Sequence, residues 1–246
     1  MDFRDLQYLG QHAIQRWHYQ PKPPTGPSYY LLHIPKTAGT SLRYDLYDAF
    51  PAGAVYPDAW EYYIHNKARY LTRLEINEKK FKRLFIENDV IIGHFGLKPW
   101  HFRMEEKPKT FAFFRHPVDR IWSSIRYHSK KGRRYYGKTM MEILEEYGNT
   151  EGQMMARMLG YEKKRGNLQE CFENLEQLKA IGLTDAYEES LDKINDAFGW
   201  QLKSRHKRNS GRLAATIGND WKMAIMDISE LDLKIYEKAQ QLFECQ

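Results

Sequence analysis

A chain of 246 residues with 42% hydrophobic and 28% charged residues can bury one sizeable core, so one domain is the simplest organisation. Its formal charge of +6, with basic clusters at residues 130–134, 163–165 and 203–208, suits a polyanionic ligand or a solvated surface equally well. Two cysteines, Cys171 and Cys245, exclude a disulfide framework and any cysteine metal spacing, no apolar stretch reaches the length of a membrane span, and the N-terminus lacks a secretory build, so a reduced cytoplasmic protein is expected.

In chain order, an amphipathic N-terminal helix leads into a breaker segment of Pro21, Pro23, Pro24, Gly26 and Pro27, and residues 1–28 form a lead-in to one domain over 29–246. Apolar runs bounded by polar or turn residues predict strands at 29–34, 90–93, 110–114 and 181–183. Helical periodicity predicts helices at 40–50, 77–87, 117–129, 140–147, 152–159, 168–179, 188–198 and 228–243. Strands alternating with helices give an α/β fold with a mostly parallel central sheet flanked by helices, whose ligands bind at the carboxyl ends of the strands.

At the end of the first strand the sequence breaks into Pro35-Lys36-Thr37-Ala38-Gly39-Thr40-Ser41. A helix starting near Thr40 offers unpaired amides and a partial positive charge, and Gly39 lets the backbone approach a bound group. Thr37, Thr40 and Ser41 add hydroxyls and Lys36 adds a full charge, which together make a phosphate or sulfate cradle. The plainer alternative is a strand-to-helix turn in which a Ser or Thr merely caps the helix. Lys36 precedes Gly39, whereas nucleotide triphosphatase loops place Lys-Ser/Thr after their glycines, so ATP or GTP hydrolysis is disfavoured. A second element, TFAFFRHPVDRIWSSIRYH at 110–128, runs from a strand through Arg115 and a His116-Pro117 turn into a helix bearing Ser123 and Ser124. An Arg at a strand end and a Ser on the next helix can converge on one phosphate.

The loop after the first strand resembles the 5′-phosphosulfate loop of sulfotransferases that use 3′-phosphoadenosine-5′-phosphosulfate (PAPS), and the Arg-x-Pro-x-x-Arg-x-x-Ser order resembles their 3′-phosphate site. The blocks IIGHFGL, NTEGQMMARMLG, IGLTDAYEESLDKINDAFGW, HKRNSGR and DISELDLKIYEKAQQLF resemble the carbohydrate (membrane-type) sulfotransferase family, in its heparan 2-O-like branch, over nearly the whole chain. The chain departs from Golgi members of that family in lacking a membrane anchor at its N-terminus. The resemblance implies a P-loop-like sulfotransferase fold in which Lys36, Thr37, Ala38, Gly39, Thr40 and Ser41 hold the 5′-phosphosulfate. It also implies that Arg115 and Ser123 hold the 3′-phosphate, and that Asn209, Ser210 and Arg212 close over the nucleotide.

His94 stands at the end of the 90–93 strand, where a neutral imidazole can accept a hydroxyl proton, and the resemblance gives the Gly-His pair the same role as general base. His101 and Glu61 are alternatives for that role, while His33 reads as a structural residue inside the first strand and His116 as a shaper of the turn. The expected activity is therefore sulfuryl transfer from PAPS to a hydroxyl of a carbohydrate or small-molecule acceptor, with His94 and Lys36 catalytic and no metal required. The expected partners are that glycan or small molecule, with no nucleic acid and no membrane span. Two other classes remain open: a P-loop-like nucleotide or small-molecule kinase, which needs the Gly-Lys-Ser/Thr order and magnesium-binding acids, and a basic nucleic-acid-binding protein, which needs a recognition signature that this sequence lacks.

Overall fold

Five parallel strands order themselves β2-β3-β1-β4-β5 in the computed structural model, which describes residues 28–58, 77–97, 107–132, 135, 137–162, 166–205 and 217–246. The strands are β1 (Tyr29–Leu32), β2 (Val55–Tyr56), β3 (Val90–Gly93), β4 (Lys109–Phe114) and β5 (Ala180–Leu183). The described helices are α1 (Gly39–Ala49), α2 (Glu78–Glu87), α3 (Pro117–Gly132), α4 (Met140–Thr150), α5 (Met154–Met158), α6 (Leu168–Glu176), α7 (Tyr187–Phe198), α8 (Asn219–Ile228) and α9 (Glu230–Glu244). The expected N-terminal helix and Pro-rich lead-in lie outside the described residues.

The sheet buries both faces, which is why its strands read as continuous apolar runs rather than alternating ones. Tyr30, Leu32, Ile91, Ala112, Phe114 and Ile181 pack with residues of α2, α5, α6 and α9 on one face. Tyr29, Leu31, Val90, Ile92, Phe111 and Phe113 pack with α1 and α7 on the other. Phe111, Phe198 and Trp200 contact one another edge to face or tilted beneath Tyr29, fixing α7 against the amino half of β1 and β4. A third cluster joins α3, α4 and α8 through Val118, Ile121, Ile125, Ile143, Leu144, Tyr147 and Ile225.

From β1 the chain builds β2 and β3 to one side, then crosses to β4 and β5 on the other. In register, Leu31 stands opposite Ile92 of β3 and Phe111 of β4. The carboxyl ends of β3, β1 and β4 are therefore neighbours at the point where strand order reverses, the place where open α/β sheets bind ligands.

The expected elements differ from the observed ones in three places. β2 is only two residues long, too short for any periodicity. Helix α8 precedes the expected C-terminal helix, and the buried Ser229 separates the two, its hydroxyl donating to the Ile225 carbonyl at 2.6 Å. β1 ends at Leu32, so His33 follows the strand rather than lying inside it, although its amide still donates to the Gly93 carbonyl at 2.9 Å.

A buried charge network ties the helical layer to the segment behind the site. Arg120, fully buried on α3, donates to the Glu151 carboxylate at 3.2 Å and to the Glu151 backbone carbonyl, and lies 3.7 Å from the Asp232 carboxylate. Asp232, equally buried on α9, accepts from the Met155 and Ala156 amides at 3.0 and 2.9 Å at the start of α5. Burial pushes the Asp232 carboxyl up to about 6, opposed by Arg120 and by the amides it accepts from. An acid with a raised folded-state pKa contributes stability below its unfolded value that is lost as pH rises. Arg120→Met leaves Asp232 buried without its cation, and urea unfolding at pH 8 should register a loss of about 3–5 kcal/mol. The loss should shrink at pH 5, where Asp232 takes a proton, and an equal loss at both pH values would contradict the pairing.

Candidate functional site

The loop 33–38 turns β1 into α1 with two non-glycine residues in left-handed backbone, Lys36 at φ 70° and Ala38 at φ 64°. Such conformations cost about 1–3 kcal/mol each and persist only where the surroundings impose them. The residue capping α1 is Ala38, which offers no side-chain acceptor, so the first amides of α1 are not capped by a Ser or Thr at that position. The plain capping explanation of this loop therefore fails. Thr37 is buried and its hydroxyl donates to the Ile34 carbonyl at 2.8 Å, closing the turn on itself. Thr40 is half-buried and Ser41 buried on the first turn of α1.

Gly39 is required for a different reason from a bound group. A Cβ built there would stand 1.7 Å from His33 Nε2, because the His33 imidazole lies against the start of α1. The same ring stacks on His94, with centroids 4.4 Å apart and an angle of 28°. His94 Nδ1 is 2.5 Å from the His33 backbone carbonyl. A carbonyl only accepts, so Nδ1 carries the proton and Nε2 keeps its lone pair.

Burial pushes the His94 imidazole down to about 4, with the Arg43 charge adding to the shift while the bond to the His33 carbonyl and the charge of Glu151 oppose it. His33 is lowered as well, first by burial and then by His94, Arg43 and Lys36. Both rings are neutral at physiological pH. The segment carrying His94 is held from two directions, by the Tyr30 hydroxyl donating to the Phe95 carbonyl at 2.5 Å and by the Leu97 amide donating to the Met158 carbonyl at 2.7 Å. Tyr30 comes from the middle of β1, so the sheet itself positions the loop.

Arg115 follows β4 and is half-buried, its Nη1 donating to the Lys36 carbonyl at 3.4 Å and its Nε buried without a partner. Burial lowers its proton affinity, while the charges of Asp119 and Asp185 oppose that shift. Asp185 in turn accepts from the Tyr236 hydroxyl at 3.3 Å, and the Tyr236 ring meets His116 edge to face at 5.5 Å. His116 thus packs against α9 at the turn, as a shaping residue does. Ser123 is half-buried on α3, whereas Ser124 is buried and accepts from the Tyr147 hydroxyl at 3.2 Å. Lys36 extends its ammonium over the Tyr127 ring, 4.2 Å from the centroid.

Of the residues predicted from sequence, the fold therefore gathers Lys36, Gly39, His94 and Arg115 at one strand edge, with the remaining cradle residues and Ser123 on the elements that follow. Asn209, Ser210, Arg212, His101 and Glu61 lie outside the described residues. The sequence reads His33 as a structural residue inside the strand; it instead follows β1, where its carbonyl sets the His94 tautomer and its ring fills the space above Gly39. Among the described residues no three His, Cys, Asp or Glu side chains form a metal-binding cluster, and no helix is long and apolar enough to cross a membrane.

Comparison of the chain with models of known protein families and with curated proteins gives no match. The class that the fold defines is an α/β protein with a five-stranded parallel sheet flanked by helices.

Gly39 has no positive φ, so alanine would be tolerated by the backbone, and the nearest atoms that its Cβ would meet are those of the His33 ring. Gly39→Ala should cost about 1–3 kcal/mol by overpacking. In the His33→Ala background the same change should cost nothing or stabilise slightly, as alanine favours a helix. Thermal unfolding of the four proteins of this cycle checks the contact, and additive losses would contradict it.

Proposed function

We propose that the chain is a PAPS-dependent sulfotransferase acting on a hydroxyl acceptor, a carbohydrate or a small molecule. The observation that carries this reading is the contact between Arg115 and the Lys36 carbonyl, which brings together the two elements read as anion-binding, 79 residues apart in the chain. A donor with a 5′-phosphosulfate and a 3′-phosphate needs two such elements within one nucleotide's length. The partnerless buried Nε of Arg115 supports the same reading, because a guanidinium edge held this way is satisfied by a bidentate oxyanion.

The residues divide the chemistry among themselves. His94 Nε2, left unprotonated by the Nδ1 bond to His33, takes the proton of the acceptor hydroxyl as that oxygen forms its bond to sulfur. Lys36 and the first amides of α1 neutralise the charge that gathers on the 5′-phosphate oxygen as its bond to sulfur breaks. Thr40 and Ser41 add hydroxyl contacts at the helix start, whereas Thr37 stiffens the loop through its bond to Ile34. Arg115 and Ser123 hold the 3′-phosphate, which distinguishes this donor from ATP and ADP. A neutral, buried imidazole suits the task because it is in the accepting form across the physiological range, even though its driving force as a base is small until an anion lies beside it.

Calorimetric titration in chelator with 3′-phosphoadenosine-5′-phosphate and with ADP tests the assignment. The wild-type protein should prefer the 3′-phosphorylated nucleotide, and Arg115→Ala should weaken that nucleotide by about tenfold to a hundredfold while leaving ADP nearly unchanged. Equal weakening of both nucleotides would remove Arg115 from the 3′-phosphate, and failure of the wild-type protein to bind either would overturn the donor assignment.

A further inference from the structure

We propose that Tyr127 is a positioning residue for Lys36, holding its ammonium against the ring face beside the anion cradle; the identity of the anion rests on the donor reading above. Tyr127 lies four residues after Ser123 on α3, and residues at that spacing share one helix face. The face that carries the half-buried Ser123 therefore also carries the ring beneath Lys36. The ammonium stands 4.2 Å from the ring centroid, well within the ~6 Å reach of a cation–π contact.

The ring is 41% exposed, so it is a rim residue rather than part of the core that α3 forms with α4 and α8. Lys36 is held at both ends: Arg115 donates to its backbone carbonyl, its backbone is left-handed, and its side chain is directed onto Tyr127. A long lysine side chain has many rotamers, and fixing one before an anion arrives removes an ordering cost from binding. An aromatic face does this without cancelling the charge. A carboxylate in the same place would neutralise the ammonium that the anion needs, whereas a ring carries no formal charge.

The test uses the full-length protein with isotope-labelled lysine, the Lys36 signal being assigned by its loss in Lys36→Arg. The wild-type and Tyr127→Phe proteins should both show the Lys36 ε-methylene displaced upfield by the ring, and Tyr127→Leu should return it to the ordinary lysine position. A Lys36 signal at the ordinary position in the wild type, or one unmoved by Tyr127→Leu, would overturn the pairing. Titration with 3′-phosphoadenosine-5′-phosphate supplies the second arm. Tyr127→Leu should weaken binding about two- to fivefold in the wild-type background and not at all in Lys36→Ala. The same weakening in both backgrounds would overturn the positioning role. Failure of the donor reading itself shows differently, as an upfield Lys36 signal that no protein of the series shifts when the nucleotide is added.

Discussion

The site depends on one packing constraint, the His33 imidazole wedged between the start of α1 and the ring of His94. Gly39 leaves room for His33, His33 stacks on His94, and the carbonyl of His33 takes the Nδ1 proton of His94. A single residue thereby sets the approach of the anion loop to the sheet, the plane of the second imidazole and its tautomer. Burial keeps both rings uncharged, so they add no competing cations to a crevice that already holds Lys36, Arg43 and Arg115. The tautomer follows from the backbone rather than from a carboxylate partner, which leaves the lone pair on His94 Nε2.

The loop above this stack stores strain. Lys36 and Ala38 adopt left-handed backbone without being glycines, and Thr37 spends its hydroxyl hydrogen on holding the turn. Backbone of this kind presents amides in a concave array suited to an oxyanion. The loop is restrained by Arg115 from β4 and by the contact of Gly39 with His33, so its shape is imposed by neighbours from two other parts of the chain. This explains how a strained segment survives at a sheet edge: the surrounding core, Tyr30 included, fixes each of its supports. The buried Arg120, Asp232 and Glu151 network secures the segment around α5 on which the His94 loop leans through Leu97 and Met158.

Much of the fold is legible in the sequence because a doubly buried sheet writes its strands as apolar runs, as at Leu31 and Leu32, Val90 to Ile92 and Phe111 to Phe114. The parallel arrangement follows from the helices between them. β2 escapes because two residues carry no period, and α8, at Asn219–Ile228, lies before the helix expected from 228. Within the site, Lys36, His94 and Arg115 are legible as residues that follow strands, and Gly39 as a point of close approach, although what approaches it is His33 and not a bound group. The roles of His33 and Tyr127 are not, since a histidine next to a strand and a tyrosine on a helix read most simply as packing residues. Their function lies in contacts with residues distant in sequence, His94 and Lys36, which no local pattern records.

The central claim is that His94 is a neutral imidazole, protonated on Nδ1, lying beside an anion site. Long-range nitrogen–proton NMR of the ring nitrogens through a pH series measures this directly. A base whose folded pKa is depressed stays neutral until the pH falls to that value, so His94 should hold the Nδ1–H tautomer from about pH 8 to about pH 5 and titrate near 4. Adding 3′-phosphoadenosine-5′-phosphate should then move its Nε2 resonance. A midpoint near the ordinary histidine value of 6.5, or the proton on Nε2, would contradict the account.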